Sequence, residues 1–192
     1  MSERGSERDT AMAPRGARRE KSLDVVAATG DELWLVARLR DTSTALDDPD
    51  DVELIHDLRI EATISVPDLV IREISAHADH QPYDQCAHTA APVAKLAGVS
   101  LRQGYRRAVL DALGGTLGCT HFLTLALDLS ATNVLSIYLR MRNLVPNTDT
   151  TRADGTWAAA GLRVEPGLVN ACFALSEDSP VQDLAEKRLR SP

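Results

Sequence analysis

The feature that most constrains the fold of this chain is a strict two-residue alternation between residues 56 and 66. One side of the segment is apolar apart from its first residue and carries His56, Leu58, Ile60, Ala62, Ile64 and Val66. Successive side chains of a β-strand point to opposite faces, so the pattern predicts a strand with one face on a core and one in water. Pro67 and Asp68 then predict a turn, and residues 69–78 predict the returning strand.

The residues before this strand predict more β-structure. Residues 22–29 and 32–41 flank the sequence Thr29-Gly30-Asp31, which predicts a hairpin. The acidic run from Asp47 to Asp51 lacks the spacing of an EF-hand calcium loop, so we interpret it as a solvated turn. Residues 1–20 are rich in Ser, Gly and charge and predict a disordered arm. We expect residues 21–192 to form a single α+β domain.

The second half of the chain predicts helices. Residues 89–96 and 101–113 have the pattern of short helices that end at glycines, while residues 120–143 are apolar nearly all round, which predicts a buried helix. Residues 168–175 predict a last strand, and residues 186–190 form a charged segment near the end of the sequence. Strands followed by helices predict an α+β fold, an antiparallel β-meander followed by helices packed on one face.

Composition narrows the classes of function. With a net charge of −7, the chain lacks the excess of basic residues that binding to nucleic acid needs, so no nucleic acid partner is expected. We find no run of roughly 18 apolar residues and no signal peptide, so we expect no membrane partner and a cytoplasmic location. The 3 cysteines are an odd number, which predicts reduced core residues, metal ligands or catalytic thiols rather than a disulfide framework.

A thiol and an imidazole occur together where the long helix should begin, in the sequence Gly114-Gly115-Thr116-Leu117-Gly118-Cys119-Thr120-His121. The N-terminus of a helix favours a thiolate because its N–H groups and its dipole are positive. His56 heads a strand and Cys86 precedes a helix, so both are predicted to converge with Cys119 and His121 at one edge of the fold. Two Cys and two His complete a tetrahedral shell for a single zinc or iron ion.

Two further residues are candidates for catalysis, and some of the proposed ligands have simpler structural explanations. Asp57 and His88 are the candidates for a catalytic general base. The simpler explanation of His56 is a hydrogen-bonded histidine at the edge of the core. The simpler explanation of Cys86 is a side chain that fills a gap in the packing. Cys172 is interpreted as a core residue.

The segment from His56-Asp57 through Pro82-Tyr83-x-x-Cys86 to Gly118-Cys119-Thr120-His121 resembles an uncharacterised bacterial domain family with a Gly-Cys-Thr-His signature. This resemblance covers most of the chain after residue 20 and implies a shared site without naming a reaction. More distantly, the order of strands and cysteines is similar to NifU/IscU-type iron–sulfur scaffolds, which implies a NifU/IscU-like fold. Cys86 and Cys119 match two scaffold cysteines, but the third has no counterpart near His56, which favours a single metal ion over a cluster.

Four functions therefore remain open. We favour a zinc or iron metalloenzyme that acts on a small organic substrate. The alternatives are a metal or iron–sulfur carrier with a protein partner, a structural subunit with inert cysteines, and a metal-free thiol enzyme. The last would need Cys119 to lie outside the first helical turn, because residues two apart within a helix do not face each other. Association into a homo-oligomer is also left open.

Overall fold

The computed structural model describes residues 16–28, 30–48 and 50–190. The chain divides into two compact units, of which the first ends at Leu129 and the second begins at Ser130. The single domain expected over residues 21–192 stays a prediction, and each unit is described by itself.

The first unit contains a four-stranded antiparallel sheet with strand order β1-β2-β3-β4. The strands are β1 (Ala17–Ala27), β2 (Glu32–Thr44), β3 (Val52–Ser65) and β4 (Ile71–His80). The expected meander is confirmed. The expected disordered arm is wrong for residues 17–20, which pair with residues 40–43 of β2, and residues 1–15 lie outside the described residues. Thr29 of the predicted hairpin turn also lies outside them.

Helices follow the sheet in the same unit. Two 3-10 segments, Asp84–Thr89 and Ala91–Leu96, precede α1 (Tyr105–Leu113), a short 3-10 turn (Gly115–Leu117) and α2 (Thr120–Asp128). The helix predicted over residues 101–113 begins four residues late, after Gly104, whose φ of 79° is unsuited to a helix. With sheet first and helices after it, the α+β class is confirmed.

The core of the first unit lies between one face of the sheet and the helices. The alternation predicted for β3 holds, since Leu58, Ile60 and Ile64 are almost fully buried. Phe122 and Leu125 of α2 belong to the same core. The predicted packing of helices on one face of the sheet is therefore confirmed for this unit.

The second unit is helical, with α3 (Thr132–Arg142), α4 (Asp149–Ala153), α5 (Thr156–Val164) and α6 (Pro180–Arg190). The single helix expected over residues 120–143 is interrupted by a 3-10 turn at Leu129–Ala131. The strand expected over residues 168–175 is wrong, because the segment consists of turns around Pro166–Leu168 and Phe173–Leu175. Asn170, with a φ of 62°, lies in the left-handed region, which does not continue a strand.

The helical segments from Thr120 to Arg142 are together long and apolar enough to cross a membrane, by length and composition alone. The expectation that no segment meets this criterion is therefore wrong. A buried core helix meets it equally well, and Phe122, Leu125 and Leu129 are fully buried in the first unit. The feature assigns no location to the protein.

Candidate functional site

The start of α2 brings Cys119 and His121 into contact. Cys119 is the N-cap of the helix, with an extended backbone, and its Sγ accepts the backbone N–H of His121 at 3.3 Å. From this position the Sγ lies 3.2 Å from His121 Nδ1. Cys119 thus lies outside the first turn, which was the condition for a thiol–imidazole pair.

The glycines before Cys119 allow the end of α1 and the start of α2 to approach closely. A Cβ atom on Gly114 would lie 2.4 Å from the carbonyl oxygen of Leu110. A Cβ atom on Gly118 would lie 3.1 Å from the backbone of Leu113. A larger residue would force the chain apart at Gly114 and would need a shift of a few tenths of an ångström at Gly118, so the glycines help to set where the thiol and the imidazole lie.

Asp41 and His56 form the strand side of the site. They lie directly opposite each other on β2 and β3, and His56 Nδ1 is 3.0 Å from Asp41 Oδ2. The register shifts here, because Leu54 pairs with Thr42 and Ile55 is the extra residue of a β-bulge. Bulges are frequent beside active sites, where they redirect side chains.

His121 completes a cluster with these two residues. Its Nε2 lies 3.5 Å from Asp41 Oδ2, and its ring centroid lies 4.0 Å from that of His56, with the planes tilted by 36°. The potential ligand atoms of Asp41, His56 and His121 all lie within 4.8 Å of one another. Two imidazoles and one carboxylate, all partly buried, therefore lie close together.

Arg19 fixes the carboxylate of this cluster. Its Nε and Nη2 donate to Asp41 Oδ1 and Oδ2, both at 2.7 Å. The hydrogen bonds and charge of Arg19, helped by His56 and His121, hold the pKa of Asp41 below its ordinary value despite partial burial. Asp41 is consequently ionised at neutral pH and oriented by both oxygens.

His121 is held in its neutral form. Burial lowers the pKa of His121, and the neighbouring His56 and Arg19 lower it further, while Asp41 opposes the change. Because its ordinary pKa is about 6.5, a lowered value leaves the imidazole uncharged at pH 7. A neutral imidazole has a free lone pair for a metal ion or for a proton.

The cluster opens onto a pocket of about 460 Å³ in the first unit. The pocket is lined by side chains from β1, β2, β3 and α2, among them Arg18, Arg19, Asp41, His56 and His121. A small molecule in this pocket would lie against both imidazoles and the guanidinium groups.

Asp57 does not belong to this cluster. It follows His56 in β3 and lies on the opposite face of the sheet, where Arg38 donates to both of its oxygens, at 2.7 and 2.5 Å. Arg40 lies 3.4 Å away. Its pKa is lowered chiefly by the hydrogen bonds of Arg38, opposed by burial. The carboxylate thus has a structural ion-pair environment rather than a place beside His56.

Cys86 and His88 lie in the 3-10 segment Asp84–Thr89, after the end of β4. The backbone of Cys86 is bonded to Tyr83 and to the hydroxyl of Thr89. Among the described residues, the group of three potential ligands contains neither side chain. Cys172 is exposed, so its expected place in a core is wrong.

Sequence reasoning missed Asp41 and Arg19. A signal for Asp41 was present, because it continues the apolar face of β2 after Leu35, Ala37 and Leu39, and a charged residue on such a face calls for a partner. Arg19 was assigned to the disordered arm, and its place opposite Asp41 follows from the start of β1 at Ala17.

The fold and the site thus define an α+β protein with a His/Asp cluster at one end of its sheet. The chain belongs to a family described as protein of unknown function (DUF2889), which matches residues 17–135. That range begins with β1 and includes the whole cluster. No curated protein and no solved structure matches the chain.

Proposed function

We propose that Asp41, His56 and His121 bind a single Zn²⁺ or Fe²⁺ ion and that the protein is a metalloenzyme acting on a small organic substrate. The observation that carries this proposal is the convergence of the three ligand atoms within 4.8 Å beside a pocket. Three protein ligands with an open fourth position are typical of catalytic zinc sites. Two His and one carboxylate are also the ligands of non-haem ferrous oxygenases.

The distances between the ligand atoms support a metal site. Ligands bound at about 2.0–2.1 Å in a tetrahedron lie about 3.3–3.4 Å apart. Asp41 Oδ2 is 3.0 Å from His56 Nδ1 and 3.5 Å from His121 Nε2, which brackets that spacing. Arg19 bonded to Asp41 Oδ1 would then act as the outer partner of a ligating carboxylate.

Such an ion would polarise a substrate carbonyl or lower the pKa of a bound water. The residues of this chain would orient the ion and the substrate. Asp41 and the two imidazoles provide one negative charge and two neutral ligands, which leaves a net positive centre beside the pocket. Substrates with a carbonyl or carboxylate oxygen therefore fit this proposal best.

Cys119 changes its role in this proposal relative to the sequence prediction. It contacts Nδ1 of His121, whereas Asp41 faces Nε2 of the same ring. One ion cannot use both nitrogens, so we infer that Cys119 is an outer partner of His121 rather than a ligand. A site with no thiolate among its first three ligands argues against the NifU/IscU-like carrier alternative.

A metal-free thiol enzyme is the second candidate, favoured by the 3.2 Å contact between Cys119 Sγ and His121 Nδ1. In that arrangement His121 Nε2–H faces Asp41 and Nδ1 accepts the thiol proton, which is the order of a Cys-His-Asp nucleophilic system. Both candidates need His121, but only the metalloenzyme needs His56 as a ligand.

Metal content of protein purified without an affinity tag distinguishes the two candidates. We expect close to one equivalent of zinc or iron, lost in His56→Gln and Asp41→Asn and retained in Cys86→Ser. If the wild type binds neither Zn²⁺ nor anaerobic Fe²⁺ in a titration, the metal proposal is wrong. Retention of the ion in His56→Gln would contradict the ligand set.

A further inference from the structure

The second unit contains an apolar pocket that is separate from the His/Asp cluster. The pocket has a volume of about 440 Å³ and is formed by α3, α5, the segment 168–175 and the start of α6. None of the described side chains that line it is charged. Small-molecule sites are mostly apolar cavities of roughly 300–1,000 Å³, so the size and lining fit such a site.

The floor of this pocket is closed and contains a glycine. Ile137 and Met141 of α3 are 2% and 3% exposed. Gly161 lies in the interior of α5, where glycine disfavours a helix, and its backbone needs no left-handed conformation. A Cβ atom there would lie 3.5 Å from both Leu168 Cδ1 and Met141 Sδ, an ordinary contact distance. What Gly161 provides is therefore open volume at the floor.

Aromatic side chains form part of the wall. The rings of Tyr138 and Trp157 are stacked with centroids 6.5 Å apart and planes 25° from parallel. Tyr138 remains 50% exposed, so part of its ring is open to an incoming molecule. Planar apolar ligands gain from offset stacking on such faces.

We propose that this pocket binds a small, neutral, largely apolar molecule with a planar ring system. A charged ligand is disfavoured because no cation or anion lines the pocket to compensate for its loss of water. A protein partner is disfavoured because the pocket is lined by 13 residues, whereas a stable interface takes about 20–30 residues on each side. The family match ends at residue 135, so nearly all of the pocket lies outside it, and the proposal does not rest on the metal site.

The test uses the full chain with Trp34→Phe, which leaves Trp157 as the only tryptophan of the two. The probe is N-phenyl-1-naphthylamine, a neutral fluorescent bicyclic amine. We expect saturable quenching of Trp157 with one site per chain. The anionic analogue 1-anilinonaphthalene-8-sulfonate should bind at least tenfold more weakly. Equal binding of the two probes would overturn the proposal.

Variants at Gly161 make the test specific to the floor. We expect Gly161→Leu to weaken probe binding at least tenfold, and Gly161→Ala to weaken it severalfold without lowering the Tm. The alanine variant keeps the test valid if the leucine variant does not fold. His56→Gln should bind the probe as the parent does. Unchanged affinity in both Gly161 variants, or a chain dimer whose dissociation is required for probe binding, would contradict the proposal.

Discussion

Arg19 and Asp41 lie opposite each other on β1 and β2, and the guanidinium donates to both carboxylate oxygens at 2.7 Å. The Oδ2 atom held in this way is the one that His56 and His121 approach. The first strand, which contributes neither a thiol nor an imidazole, therefore sets the position of the group on which the cluster converges.

Arg19→Gln should destabilise the protein without metal by about 1–3 kcal/mol, because it leaves a largely buried carboxylate without its charged donor. The loss should be largest above the ordinary pKa of Asp41, where the lowered folded-state value contributes stability, and should vanish as the pH falls through the folded-state pKa. Urea unfolding at pH 7 and pH 3 measures both effects.

The stability of Arg19→Gln with and without Zn²⁺, compared with that of the wild type, gives a second test of this pair. An ion beside Asp41 would replace the lost positive charge, so saturating Zn²⁺ should raise the unfolding midpoint of Arg19→Gln more than that of the wild type. Arg18→Gln is the control, since Arg18 pairs with Glu20 at the exposed surface. Equal stability of Arg19→Gln and wild type without metal would show that the pair has no structural role.

The sheet could be predicted from the sequence because its signal is local. The alternation in β3 and the turns at Gly30 and Pro67 depend on neighbouring residues alone, and the four strands form in the predicted order, although β3 begins at Val52 rather than at His56. The start of β1 was missed because residues 17–20 are polar, and they form a strand only through pairing with β2. The segment 168–175 failed as a strand because apolar content alone does not distinguish a strand from packed turns.

The candidate site could be predicted only in part. His56, Cys119 and His121 do meet, since each stands near an element end that the fold brings to one edge. Cys86 was expected at the same edge of the fold. Its position depends on the path of the 3-10 segment after β4, and no periodic pattern in the sequence predicts that path. Asp57 was predicted as a general base, but it pairs with Arg38 on the face of the sheet opposite His56, because adjacent residues of a strand point to opposite faces.

Asp57→Asn should lower the free energy of unfolding by about 1–3 kcal/mol while leaving Zn²⁺ affinity unchanged. Asp57 is 5% exposed and accepts two hydrogen bonds from Arg38, so the amide removes the negative charge that this half-exposed guanidinium pairs with and leaves a buried polar group less well satisfied. Because the pKa of Asp57 is lowered in the folded state, the wild type loses this stability as the pH falls, and the variant should not. Urea unfolding between pH 7 and 3, with a Zn²⁺ titration, tests both statements.

A loss of Zn²⁺ binding in a folded Asp57→Asn protein would contradict the separation of the two faces. Asp79→Asn is the control, because the contact of Asp79 with Arg59 is longer, 3.5 Å, and its side chain is more exposed. It should change the free energy of unfolding by less than about 0.5 kcal/mol.

Gly114→Ala should destabilise the first unit by about 1–3 kcal/mol and weaken the binding of Zn²⁺. The added Cβ would lie 2.4 Å from Leu110 O, so α1 or the start of α2 must move, and His121 moves with it. Circular dichroism melting and a Zn²⁺ titration measure the two effects.

Gly98→Ala is the control for Gly114→Ala, because it introduces backbone strain without displacing a neighbouring helix. A Cβ atom on Gly98 meets nothing within 4 Å, but its φ of 81° is strained for alanine. This control should lower the Tm and keep Zn²⁺ affinity. If both variants bind Zn²⁺ as the wild type does, the close approach at Gly114 does not position His121.

Tyr105→Phe should lower the free energy of unfolding by about 1 kcal/mol at pH 8. The reason is that the Tyr105 hydroxyl donates a hydrogen bond to the carbonyl oxygen of Ala126 at 2.8 Å and so links α1 to α2. Burial raises the pKa of Tyr105 far above its ordinary value. A raised folded-state pKa means that the contribution is complete below pH 10 and is lost as the pH rises, by up to about 1.4 kcal/mol per pH unit. The difference between wild type and variant should therefore shrink and then reverse near pH 11.

Urea unfolding of both proteins at pH 8, 10 and 11 measures this crossover. Tyr138→Phe, at a half-exposed tyrosine of α3, is the control and should leave the free energy of unfolding almost unchanged at pH 8. A constant difference between wild type and Tyr105→Phe across the three pH values would mean that Tyr105 ionises as readily in the folded chain as in the unfolded one. The buried hydrogen bond to α2 would then be absent, and with it the tie that holds α2, and so His121, against α1.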